Sequence, residues 1–121
     1  MILVIDDGES TKTISLRPIS GAAPVTIGRG TDANIRINDN SCSRIHCAIR
    51  YWDDIFIVRD MNSRNGTLLN GEKIKVAQLD AGDVLRIGAT VIQAAAEQGS
   101  SIDVTILAST AKDDASSTAS G

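Results

Sequence analysis

Aromatic side chains are nearly missing from this sequence: Tyr51, Trp52 and Phe56 are the only three in 121 residues. The core must therefore be filled by Ile, Val and Leu, and the β-branched members of that set favour strands. Cysteine is as scarce. Cys42 and Cys47 stand five apart, too close for a disulfide framework of the secreted type, and read as thiols of a reducing compartment. No run of about 18 apolar residues occurs that would span a membrane as a helix. The opening "MILVIDDGES" sets acidic residues straight after the apolar ones with no basic flank, unlike a signal peptide. A cytoplasmic chain without a membrane partner is expected. Positive charge is not in excess either: a formal net charge of −3 gives no electrostatic reason to hold a nucleic-acid backbone.

What is present is alternation. Apolar residues recur with period two at Ile14 and Leu16, Val25 and Ile27, Ile35 and Ile37, then Ile45, Cys47, Ile49 and Tyr51. Such spacing predicts strands with one face inward. Ile55 to Val58 is apolar on both faces and reads as a central strand, while Val84, Leu85 and Ile87 pair with Val91 and Ile92 around Gly88. Turn signals separate these runs, among them Asp53-Asp54, Ala81-Gly82-Asp83 and two Asn-Gly pairs, Asn65-Gly66 and Asn70-Gly71, the strongest short hairpin signal. The expected class is all-β, a sandwich or barrel of many short strands. A chain this long is about one domain and needs no staples. The division predicted is a folded domain over 1–95, then 96–121, where Ser101 to Leu107 offers one last strand and Ser109 to Gly121 a disordered tail.

Gly28-Arg29-Gly30-Thr31-Asp32-Ala33 fits the glycine pattern of a dinucleotide-binding turn. That turn needs a helix immediately after it, whose N-terminus holds the pyrophosphate. Asn34 to Asn38 alternates polar and apolar instead, so a strand follows and the nucleotide reading fails. Between Gly28 and Gly66 lie six arginines and no lysine, against two arginines and four lysines elsewhere. Arginine's planar fork suits bidentate recognition of phosphate or carboxylate, which points to an anion site. Asp32, Asp39, Asp53, Asp54 and Asp60 nearly neutralise the same segment, so any such site is local. Ser41, Ser43 and Arg44 form a polar turn, and Asn62, Ser63, Arg64 and Asn65 crowd another, closed by Gly66. If these loops meet at one end of the sandwich, their donors line a small pocket.

The order "IGR", "SRIH", "NSRNGTLLNG" and "LDAGDVLRIG" resembles that of a forkhead-associated (FHA) domain, from about Ile2 to Ile92. The resemblance implies a β-sandwich of about eleven short strands with its recognition loops at one apex. It also implies a signalling module that binds phosphothreonine peptides, its partner a phosphothreonine-bearing protein, the substrate of a Ser/Thr kinase. Carried across, Arg29 contacts the phosphopeptide, Ser43 hydrogen-bonds the phosphate and Asn65 holds the peptide backbone beside it. Arg44 and Arg64 occupy variable positions that often touch the phosphate or neighbouring ligand residues. His46 is architectural, and Gly28 and Gly66 serve the turns. Arg64 departs from the threonine or serine that many members carry there.

Cys42, His46 and Cys47 offer no fourth metal ligand of the usual spacing, and a single histidine leaves little for acid–base chemistry. Neither metal, cofactor nor enzymatic activity is expected. Two other readings stay open. One is a phosphate-independent assembly domain that uses a sheet face. The other is self-engagement, with Thr105, Thr110 or Thr118 as phosphoacceptors on a tethered tail.

Overall fold

The computed structural model describes residues 1–97. These form eleven strands and no helix, arranged in two sheets. The six-stranded sheet runs β2 (Thr11–Ser15), β1 (Ile2–Asp6), β11 (Thr90–Ala95), β10 (Val84–Ile87), β7 (Thr67–Leu69), β8 (Glu72–Ile74). The five-stranded sheet runs β4 (Ile35–Arg36), β3 (Val25–Gly28), β5 (Cys47–Trp52), β6 (Ile55–Asp60), β9 (Val76–Leu79). All pairings are antiparallel except that of β3 with β4. The strand that follows the Gly28-Arg29-Gly30 turn is thus β4, and no helix stands there to hold a pyrophosphate.

Register places the period-two residues in rows. Ile5 faces Ile92, Ile92 faces Leu85, and Leu85 faces Leu69 across four strands of one sheet. Val25, Ile49, Val58 and Ala77 make the matching row in the other. The inward faces meet in one core that includes Leu3, Ile5, Ile27, Ile49, Val58, Leu85, Ile87 and Ile92, all at most 2% exposed. Its apolar burial is the main term holding the sheets together. Tyr51 and Phe56 pack edge to face at 4.8 Å across β5 and β6, a geometry that suits the ring quadrupoles.

The turns divide. Asp53 and Asp54 both take positive φ (54° and 67°) and close the two-residue β5–β6 hairpin, and Asn70-Gly71 does the same between β7 and β8. Asn65-Gly66 does not make a hairpin. It ends the connection that carries the chain from β6 in one sheet to β7 in the other, and the residue before Gly66 is not left-handed; Asn62 is, at 58°. The amide of Gly66 instead takes the Ser63 hydroxyl as its acceptor, at 3.0 Å. Period two also set one boundary early: Ile45 precedes β5, which begins at Cys47. Gly28, Cys47, Asp60, Thr67 and Ile87 end or begin their strands at the same edge of the sandwich, so the loops beyond them share one apex. The last strand expected at Ser101 to Leu107, the tail after it and the acceptors Thr105, Thr110 and Thr118 lie outside the described residues.

Candidate functional site at the loop apex

Three connections make the apex: 29–34 after β3, 37–46 before β5, and 61–66 after β6. The first two are sewn together by backbone bonds. Arg29 N–H donates to the Ser43 carbonyl at 2.9 Å, Gly30 N–H to Arg44 at 3.0 Å and His46 N–H to Ile27 at 2.8 Å. This ladder brings the chain so near Gly28 that only a residue without a Cβ fits, because the Ser43 and Arg44 backbone fills the space. Gly66, at φ 86°, supplies the left-handed turn on the third loop.

His46 joins the second loop to the third. Its ring is fully buried. Nδ1 accepts from Ser43 N–H at 3.1 Å, which puts the ring proton on Nε2, and Nε2 donates to the Gly66 carbonyl at 2.7 Å. The backbone carbonyl of His46 accepts from Met61 N–H at 2.9 Å. Both ring nitrogens are therefore committed to loop geometry.

Between these loops lies a pocket of about 200 Å³ lined by Arg29, Asn40, Ser41, Cys42, Ser43, Arg44 and Arg64. It brings four of the expected residues together, and no carboxylate is among its lining. Arg29 is exposed, and its Nε donates to the Cys42 carbonyl at 3.1 Å. That bond steadies the guanidinium through Nε and leaves its two terminal nitrogens without a protein partner among the described residues. The Ser43 hydroxyl accepts from Arg64 N–H at 2.9 Å, so its own proton is left to donate. Arg44 pairs with Asp32 at 3.6 Å with both side chains well exposed, an ion pair of little energetic weight. Asn65 does not line the pocket. It stands beside it, with Nδ2 donating to the Ser41 carbonyl at 2.7 Å, which leaves its side-chain oxygen as an acceptor at the rim.

Two carboxylates hold this arrangement and carry roles that charge counting does not disclose. Asp39 accepts from Ser41 N–H at 2.8 Å, Ala89 N–H at 2.9 Å and the Thr90 hydroxyl at 2.8 Å, pinning the second loop to the β10–β11 turn. Asp60 accepts from the amide and hydroxyl of Ser63 and from Thr67 at 2.8 Å, shaping the third loop. The spacing of Asp60 and Ser63 is an Asx-type turn signal legible in "DMNS"; the partners of Asp39 some fifty positions on are not. Burial raises both carboxyls, but these donors outweigh it and hold each below the ordinary aspartate value. A depressed folded pKa stabilises the fold above the unfolded value near 3.9 and loses that stability as pH falls through the folded one. Melting temperature should therefore drop below about pH 4, and Asp39→Asn and Asp60→Asn should lower it at neutral pH while flattening that acid limb. Thermal melts between acid and neutral pH test this; variants whose acid limb parallels wild type would remove the two carboxylates from it.

Cys42 and Cys47 are free and buried. Cys42 Sγ donates to the Ile87 carbonyl at 3.3 Å, and burial, with Asp39 nearby, pushes its thiol up to about 12; burial pushes that of Cys47 up to about 12 as well. Such thiols are poor nucleophiles. No group of three His, Cys, Asp or Glu side chains is placed to hold a metal among the described residues, and no described helix is long and apolar enough to cross a membrane.

The FHA domain family model matches residues 25–88, just over half of the chain. FhaA of Mycobacterium tuberculosis, an FHA domain-containing protein, is 42% identical over 86 residues, which take in 71% of this chain and only 15% of that relative's length. The FhaA FHA domain, solved in complex with the intracellular domain of Rv3910, superposes with a TM-score of 0.67 at 38% identity, covering 76% of this chain and 96% of that one. A chain from a structural and functional analysis of phosphothreonine-dependent FHA domain interactions gives a TM-score of 0.68 at 34% identity, covering 80% and 98%. Both share more than the fold, since these identities extend over nearly the whole of each solved domain. The sandwich, its apex ladder and the sequence match agree, and the chain belongs to the FHA domain family.

Proposed function

We propose that the apex pocket binds phosphothreonine in a peptide of a partner protein that a Ser/Thr kinase has modified. One observation carries the reading: Arg29, Ser43, Arg44 and Arg64, brought from three separate loops, line a single pocket with no carboxylate in its wall. A phosphothreonine brings about −1.5 to −2 charges and three acceptor oxygens near neutral pH. Arg29 and the Ser43 hydroxyl are its donors, Arg44 and Arg64 add charge at the rim, and Asn65, braced on Ser41, receives the peptide backbone. The phosphothreonine-dependent interactions of the related solved domain support the same assignment. Residues 1–95 form the module, which acts by binding in a reducing, cytoplasmic setting and not by catalysis, its one histidine being occupied with loop contacts.

The test is a set of titrations with one peptide carrying phosphothreonine, phosphoserine or plain threonine. The phosphothreonine form binds in the micromolar range, about −8 kcal/mol, which a few charge-assisted bonds supply after ordering costs. Phosphoserine binds more weakly and threonine not measurably. Equal binding of the phosphorylated and plain peptides rejects the pocket as a phosphate reader; equal binding of the two phosphorylated forms rejects discrimination of the methyl group. Millimolar sulfate should also raise the melting temperature of the wild-type protein.

A further inference from the structure

The outward face of the five-stranded sheet holds a second concavity, of about 470 Å³, that plays no part in the apex. Four large apolar side chains are exposed among the described residues, and three of them line it: Trp52 at 52%, Val76 at 49% and Met61 at 41%. Exposed apolar residues scattered singly are ordinary, whereas three in one concavity mark a contact surface. Between them run Ala48, Arg50, Ile57 and Arg59. Register fixes the layout: Arg50 faces Ile57 and Ala48 faces Arg59, so the arginines are diagonal neighbours, about 7–8 Å apart at the backbone. Trp52 lies two residues beyond Arg50, and Met61 two residues beyond Arg59, its amide continuing the ladder to the His46 carbonyl. Along the strands the order is therefore Trp52, Arg50, Arg59, Met61, a row of about 20 Å at two strand residues per step. The Arg50 guanidinium lies over the Trp52 ring at 5.5 Å. Neither arginine has an ion-pair partner among the described residues, and no carboxylate lines the concavity.

Two features select the occupant. The charge is all of one sign, so a complementary surface brings carboxylates, and a second copy of the same face would set Arg50 and Arg59 against their own like. The concavity also lies on the face of a sheet, over β5 and β6, whose backbones already pair with β3, with each other and with β9. An extended chain laid there would hold its amides and carbonyls over apolar side chains without partners, at a cost comparable to lost hydrogen bonds. A helix satisfies its backbone internally and is an ordinary second layer on a sheet. Its geometry matches the row. Residues at i, i+4, i+7 and i+11 share one face and span about 16 Å, and the length of glutamate and arginine side chains takes up the difference. An apolar residue, two acids and a second apolar residue at those positions meet Trp52, Arg50, Arg59 and Met61 in turn. Charge and apolar contacts then fall on the same face of the helix.

We propose that this face docks an acidic amphipathic helix of a partner protein, with two carboxylates on Arg50 and Arg59 and the flanking apolar side chains on Trp52 and Met61. The inference is independent of phosphopeptide binding at the apex.

Trp52 is the reporter in the full chain, since it is the only tryptophan. The probe is a tryptophan-free peptide of about four helical turns, stapled on its far face because isolated helices this short are marginal. It carries Leu, Glu, Glu and Leu at i, i+4, i+7 and i+11 on a background of Ala and Gln. Its addition should shield Trp52 from acrylamide and move the emission to the blue, saturably. The same peptide with both Glu replaced by Lys should bind about tenfold more weakly or worse, because like charges then meet. In the Arg50→Glu, Arg59→Glu double variant the order should invert, with the Lys peptide preferred. Should that variant not fold, Arg59→Gln alone should lose most of the preference for the Glu peptide. No response of Trp52 to the Glu peptide overturns the proposal, and so do equal affinities for the Glu and Lys peptides, the mark of unspecific apolar adhesion. Shielding that rises with protein concentration in the absence of peptide overturns it in favour of a second copy.

Discussion

Replacing Arg29 with alanine lowers phosphothreonine-peptide affinity by about tenfold or more and leaves the fold nearly as stable as before. The size follows from one hydrogen bond to a charged group, worth about 1.5–3 kcal/mol, where 1.4 kcal/mol is a factor of ten. The small effect on stability follows from exposure. Among the described residues the side chain makes one bond, Nε to the Cys42 carbonyl at 3.1 Å, and the backbone amide that bonds Ser43 is unchanged by the substitution. A surface change of this kind costs about 0.5 kcal/mol, or somewhat more where a partner is left unpaired. Arg44→Ala should matter less, because that guanidinium already faces Asp32 and points from an exposed position. The protection by sulfate should vanish with Arg29 as well. Isothermal titration of wild type and variant with the same peptide decides the matter: equal affinity in the two takes Arg29 out of the site.

How far this could be anticipated differs between strands and loops. Inward positions such as Ile27, Cys47, Ile49, Leu85 and Ile87 announce themselves because a strand with one wet face must alternate, and all five are buried. Strands β8 and β9 give no such signal. They lie at sheet edges and expose most of their residues, Glu72, Lys73, Val76 and Gln78 among them, so no single face selects apolar side chains. Sheet order was not legible in the sequence, since alternation is the same whichever neighbour a strand has; the family resemblance gave only the sandwich and its apex. The site shows a similar split. An arginine-rich, lysine-free segment marks anion chemistry locally, but the pocket exists because backbone amides and carboxylates join residues far apart. Asp39 reads as a turn residue among other charges, and its bonds to Ala89 and Thr90 require the β10–β11 turn to arrive at the same apex. Asn65-Gly66 misled for the complementary reason. A strong local hairpin signal yielded to the Asp60, Ser63 and Ser41 contacts that shape the crossing between sheets.

Gly28→Ala should be the more damaging change, although it adds one methyl group. A Cβ there would lie 2.7 Å from the Arg44 carbonyl carbon and 2.9 Å from the Ser43 oxygen, with the Arg44 oxygen closer still. All three are backbone atoms, so no rotamer relieves the clash and the loop must move bodily. Moving it strains the Arg29–Ser43 and Gly30–Arg44 bonds, and the Gly28 carbonyl that accepts from Ile37 N–H at 2.7 Å is displaced with them. Overpacking of this kind costs about 1–3 kcal/mol or more. In a domain this small each kcal/mol lowers the melting temperature by about 4–8 °C. Peptide affinity falls together with stability, because the clash separates Arg29 from Ser43, the two donors that must meet one phosphate. Gly30→Ala is the control: its Cβ would meet Arg44 atoms at 3.1 Å and beyond, a contact that small shifts absorb. The expected order in both melting temperature and affinity is wild type, then Gly30→Ala, then Gly28→Ala well below. Were Gly28→Ala to keep its melting temperature and still lose the peptide, the ladder beside Gly28 would matter for the ligand alone; were it to keep both, the close approach of the two loops would not be what assembles the pocket.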